Sequence, residues 1–188
     1  PLPVSRVVLR GRHRGCGVPV RNLASADPEI AAATFKDHLD RLWGTGRPDR
    51  LGWVRNDVDP LHTVVTLPAT RPSGERDVYY FRLGAEYYDA APPTVALVEP
   101  DGVTHPPLQS RWYPALQPPG WFGLHAEYLW PDGGRRQLVC FTLSAGYYMT
   151  DHSPKESEEW RQGRHTVAAT LFRLAEVLSP AHYRGPGA

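Results

Sequence analysis

The sequence predicts an α+β domain with an N-terminal helix, a four-stranded antiparallel meander, long loops and a C-terminal helix. Three observations point there. Apolar residues recur at helical spacing over 28–43, alternate with period two in runs between 61 and 143, and return to helical spacing over 164–178. At 188 residues, 41% hydrophobic and 22% charged, the chain can close a core without a metal or disulfide staple.

Residues 1–24 read as an N-terminal extension, with a short strand over 4–9 and then a basic, glycine-containing stretch up to Cys16. The first helix follows. Asp27 caps it, Pro28 suits the first helical position and Glu29 complements the positive end of its dipole. Phe35, Leu39 and Leu42 form a stripe that Ile30, Ala31 and Trp43 extend, and Gly44 supplies the stop. Over 61–67, Leu61, Thr63, Val65 and Leu67 share one face and His62, Val64 and Thr66 the other, before Pro72-Ser73-Gly74 turns the chain. Further strands are expected over 78–83, 94–98, 124–130 and 136–143, as one meander. The connection over 99–123, rich in proline and aromatics, has neither helical nor strand period and reads as an inserted lid or docking surface rather than core. A loop over 144–160 leads to the second helix, whose stripe is Val167, Leu171, Leu174 and Leu178 and whose stop is Pro180. The domain is thus expected over 25–180, with 181–188 as a tail.

Twenty-one basic residues against 20 acidic ones leave a net charge of +1, so nothing draws the chain as a whole to nucleic acid or to a membrane. No apolar run is long enough to span a bilayer, and no signal-peptide centre is seen, so a cytoplasmic location is expected. In a reducing compartment Cys16 and Cys140 both stay thiols. The histidines show no zinc spacing, and there is no phosphate-binding glycine loop or Gly-x-Ser-x-Gly elbow. Neither metal nor cofactor is expected.

The stretch Tyr88-Asp89-Ala90-Ala91-Pro92-Pro93-Thr94-Val95 resembles the Tyr-Pro-x-x-Pro-Pro-x-Val signature between the third and fourth strands of ubiquitin-conjugating enzymes, with Asp89 replacing the first proline. Its surroundings match in order: a helix before it, Phe81 ahead, His105-Pro106 after the strand, then Cys140, Trp160 and a helix. The resemblance covers 27–178 as spaced landmarks. The family's His-Pro-Asn tripeptide becomes His105-Pro106-Pro107, without the asparagine that supports the oxyanion. Both intervals around Cys140 are longer than usual, and the last two family helices are not expected. A shortened, diverged prokaryotic branch is similar in these respects. The resemblance implies a transferase in which Cys140 carries a ubiquitin-like modifier as a thioester, with that modifier, an activating enzyme and a protein substrate as partners.

Cys140 lies in the apolar run Leu138-Val139-Cys140-Phe141, which reads as an inert buried thiol or, with the resemblance, as the nucleophile. If strands 124–130 and 135–141 pair across a two- or four-residue turn at Pro131-Asp132-Gly133-Gly134, His125 falls opposite Cys140, with Cβ atoms about 4.5–5.5 Å apart. An imidazolium there would favour the thiolate. His105 is a second candidate. Asp151, in the loop after Cys140 with His152, Tyr147 and Tyr148, reads as a group to orient or deprotonate an amine, or as a polar turn; backbone amides after the cysteine and the side chains of His125 and Tyr148 are the candidate oxyanion donors. Trp112, Tyr113, Trp121 and Phe122 read as partner-binding anchors. Two rival functions stay open: a catalytically inactive binding module of the same fold, and a Cys/His thiol hydrolase.

Overall fold

The computed structural model describes Leu23 and residues 25–187. The strand read at 4–9 and Cys16 lie outside the described residues. The elements are α1 (Pro28–Gly44), α2 (Arg47–Arg50), β1 (Val54–Asp59), β2 (His62–Thr70), β3 (Arg76–Gly84), β4 (Thr94–Val98), β5 (Pro114–Leu116), β6 (Gly123–Leu129), β7 (Arg135–Cys140), α3 (Ala145–Tyr148), α4 (Val167–Val177) and β8 (Tyr183–Pro186). The α+β class and the antiparallel four-stranded sheet are as expected, but the membership of the sheet is not. Its order is β1-β2-β3-β4, whereas β6 and β7 form a separate hairpin.

α1 begins as its sequence dictates: the Asp27 carboxylate accepts the N–H groups of Glu29 and Ile30 at 3.0 and 3.1 Å. Ala31, Phe35, Leu39 and Leu42 are its buried face. Ile30 does not extend that stripe; it is 67% exposed, on the first turn. β1 had no sequence signal because its residues are almost all exposed and mostly polar or charged. Backbone pairing to β2 holds it, with Arg55 tied to Asp57 and to Asp40 of α1. With β1 present, the segment 85–93 joins the third strand to the fourth.

The outer edge of β4 is met by a side chain rather than by a strand. Gln137 of β7 accepts the Leu97 N–H at 2.7 Å and donates to the Leu97 carbonyl at 3.0 Å, so one amide mimics a ladder rung. The Ala145 N–H of α3 donates to the Pro93 carbonyl at 3.0 Å. These contacts dock the β6–β7 hairpin and the following turn on the sheet.

α4 buries Val167, Leu171 and Leu174 as its spacing predicts, and Val177 as well, while Leu178 is buried just beyond its end. It starts three residues later than its stripe suggests, because Arg164 and His165 belong to a turn closed by their N–H groups on the Arg161 carbonyl. The first α4 donor, Val167 N–H, reaches the buried hydroxyl of Tyr88 at 2.9 Å, and that hydroxyl faces His38 Nδ1 of α1 at 2.6 Å. Trp160 packs beside the Tyr88 ring, and its indole N–H donates to the Asp89 carbonyl at 2.8 Å.

Two expectations about the periphery fail. Of the segment read as a tail, residues 181–187 are built into the fold, since β8 pairs with β5 and the fully buried Tyr183 bonds Tyr79 and Asp77. The 99–123 connection is not purely a surface, since Tyr113 and Phe122 belong to the central core.

Tyr88→Phe should lower stability by about 1–3 kcal/mol, because it strands the Val167 N–H in the core. Urea unfolding measures this, and an unchanged midpoint would show that the hydroxyl does not tie the helices.

Candidate functional site

Cys140 closes β7 and is 7% exposed. The expected partner across the hairpin is corrected here: Gly123 faces Cys140, and His125 faces Leu138. Two features displace the register. The Trp130 N–H closes on the Gly134 carbonyl with Gly133 at φ +82, which makes a three-residue loop ending in a left-handed glycine. A bulge between His125 and Tyr128 then shifts the pairing once more. Glycine at 123 keeps the space open, for a Cβ there would lie 2.9 Å from His125 Nε2.

The side chain that reaches the sulfur is His152, with Nε2 3.4 Å from Cys140 Sγ. Its other nitrogen, Nδ1, lies 2.8 Å from Thr150 Oγ1. That hydroxyl is within 3.0 and 3.1 Å of the carbonyls of Gly146 and Tyr147, where its own proton goes. It can therefore only accept from the imidazole, which assigns the ring proton to Nδ1 and leaves the Nε2 lone pair aimed at the thiol. The Tyr147 ring lies 4.9 Å from the imidazole at 35°, and Tyr128 flanks it at 5.9 Å. Together these contacts fix an imidazole against a thiol, the pairing that a base and a nucleophile need.

Burial pushes the thiol pKa up to about 11, and the Asp151 charge adds to the shift. The resting group is a neutral thiol, so any attack by the sulfur would have to release its proton. Asp151 is exposed, accepts the Tyr128 hydroxyl at 2.5 Å and lies 3.7 Å from His152 Nδ1. The Tyr128 hydrogen bond holds its carboxyl below the usual range. Burial, and then the nearby His152, lower the His125 pKa, which favours a neutral ring beside the thiol.

The thiol opens into a cleft of about 610 Å³ lined by Trp121, Gly123, His125, Tyr147 and His152, with Lys155 and Glu158 also on its wall. His125 thus shares the cleft without bonding the sulfur. Tyr148 does not line it. Its hydroxyl donates to the Thr142 carbonyl and accepts the Trp160 N–H, which anchors the loop that carries His152. His105 is exposed beyond the turn closed by Glu99 and Thr104, and does not line the cleft either. Of the expected anchors, Trp121 borders the cleft under Arg173, Phe122 is mostly buried but also lines it, Trp112 packs on Tyr80, and Tyr113 is buried. Thr150 was missed, and His152 and Tyr147 were noted only as loop neighbours of Asp151 and Tyr148; the signal was the polar run Thr150-Asp151-His152 shortly after the cysteine.

Among the described residues no group of three or more His, Cys, Asp or Glu side chains is arranged to hold a metal ion, and no helix is long and apolar enough to cross a membrane. No protein-family model matches the chain, and no curated protein matches it.

With Cys16 replaced by serine, iodoacetamide alkylation of Cys140 should be slow at about pH 8 and rise toward the thiol pKa of about 11. Asp151→Asn removes a negative charge that opposes the thiolate, so the midpoint should fall and alkylation at about pH 8 should speed up. Superimposable pH profiles would remove Asp151 from the electrostatics of the thiol.

Proposed function

We propose that the protein is a conjugating transferase that carries a ubiquitin-like modifier as a thioester on Cys140 and passes it to an amine of a protein substrate. The observation that carries the reading is the Cys140–His152 contact, a nucleophile facing a base of assigned tautomer in an open cleft. The order of landmarks supports it. The Tyr88-to-Val95 segment joins β3 to β4, Cys140 follows the meander, and Trp160 bonds back to that same segment.

In the charging step Sγ attacks the acyl carbon of the modifier held on the activating enzyme, and its proton passes to His152 Nε2. The leaving thiolate of the activating enzyme takes that proton as the acyl group moves to Sγ. In the transfer step an amine attacks the thioester carbon and gives up a proton to His152 Nε2, the C–S bond breaks, and Sγ departs as thiolate and takes that proton from His152. Pro107 offers no side-chain amide to the oxyanion, and the Tyr148 hydroxyl is taken up inside the loop. The ring N–H of His125, on the cleft wall, is the donor we assign.

The same contact favours one other reading, a thiol hydrolase, in which water discharges the acyl enzyme and His152 protonates an amine leaving group. Incubation with the cognate modifier, activating enzyme and ATP separates the two. Transfer predicts an adduct that reductant removes, absent in Cys140→Ala and resistant to reductant as an ester in Cys140→Ser. His152→Ala should slow its formation by about 100-fold. Cleavage of a modifier conjugate with no charging would establish the hydrolase instead; binding of the modifier with neither would leave an inactive module.

A further inference from the structure

A second cavity of about 550 Å³ lies among the β2–β3 turn, the Arg111-Trp112 segment and β8, and shares no lining residue with the Cys140 cleft. Its apolar lining includes Pro68 and Val78, paired across β2 and β3, and Trp112. Its charges do not balance. Arg71, Arg76 and Arg111 line it against one carboxylate, Asp77.

That carboxylate is already engaged. Arg71 donates from Nε to Oδ2 at 2.8 Å and from Nη2 to Oδ1 at 3.1 Å, and the Tyr183 hydroxyl donates to Oδ2 at 2.6 Å. Glu75, outside the cavity lining, is likewise paired to Arg71. Among the described residues the side chains of Arg76 and Arg111 have no ion-pair partner and donate no hydrogen bond. The Arg111 guanidinium lies 4.7 Å over the Trp112 ring, which occupies its face and leaves its N–H edge unengaged.

A guanidinium fork matches the oxygens of a phosphate or a carboxylate, and the volume is that of a small-ligand pocket. The chain's net charge of +1 provides no broad basic surface for a polyanion, so the unbalanced charge is a local feature. We propose that this cavity binds a small organic anion, its phosphate or carboxylate head between Arg76 and Arg111 and its apolar body against Pro68, Val78 and Trp112. The proposal stands apart from the chemistry at Cys140.

Phenyl phosphate, benzoate and inorganic phosphate are the probes, titrated into the full chain while the Trp112 indole N–H and Val78 methyl resonances are followed. The expected result is saturable binding of phenyl phosphate or benzoate, at least tenfold tighter than inorganic phosphate. Arg76→Gln and Arg111→Gln should each weaken it about tenfold, the loss of roughly one charge-assisted hydrogen bond. Both residues are exposed and bonded to no other side chain, so the variants should melt like the parent. Arg164→Gln, exposed and outside the cavity, should bind as the parent does. Which of the two aromatic probes binds tighter identifies the head group. Failure to saturate, equal affinity for inorganic phosphate, or unaltered binding in both variants would overturn the proposal.

Discussion

The hydroxyl of Tyr88 is the joint on which the arrangement depends. It faces His38 of α1 and accepts the first N–H of α4, so both helices are indexed to the segment between β3 and β4. Burial raises its pKa, which keeps the phenol protonated and able to serve both neighbours. Trp160 extends the joint, because its indole N–H meets the Asp89 carbonyl while its backbone N–H meets the Tyr148 hydroxyl. Since Trp160 ends the loop that carries Thr150 and His152, the imidazole is referenced to the same place. The sulfur is referenced separately, through the Gln137 amide that fastens β7 to Leu97. Thiol and imidazole thus come from two elements, one fastened to β4 and the other to the connection that leads into it.

This arrangement suits a thiol that must stay inert until engaged. A buried sulfur near a carboxylate is held as S–H, so stray alkylation or oxidation is slow. A base with its lone pair on the proton can convert it to thiolate when an electrophile is at hand to accept the sulfur electrons. An imidazolium–thiolate pair would make the opposite compromise, reactive at rest. The thiol pKa, pushed up to about 11, argues for the first regime.

What could be read without the structure follows from how each feature is encoded. The Asp27 cap and the α4 stripe are local patterns, and both helices form where those patterns put them to within a turn. β1 was invisible because it pairs through its backbone and exposes nearly every side chain. Cys140 was singled out from its landmarks, but the side chain that meets its sulfur was not, because a register depends on each residue of the turn and a single bulge cancels the arithmetic. His152 comes to the sulfur through the α3 turn and the Thr150 hydroxyl, contacts between a strand end and a loop that no periodicity reports. The aromatics of the 99–123 connection misled in another way: aperiodic in sequence, Tyr113 and Phe122 still reach the core from a loop.

The claim at the centre is that His152 stands to Cys140 as base to acid, and this has a direct spectroscopic reading. Long-range proton–nitrogen correlations of the ¹⁵N-labelled chain distinguish the two ring nitrogens of a neutral histidine. The hydrogen bond to Thr150 requires the His152 proton on Nδ1 and a bare Nε2 toward sulfur, and Thr150→Val should scramble that preference. A neutral ring with its proton on Nε2 would make the imidazole a donor to Sγ and would contradict the account.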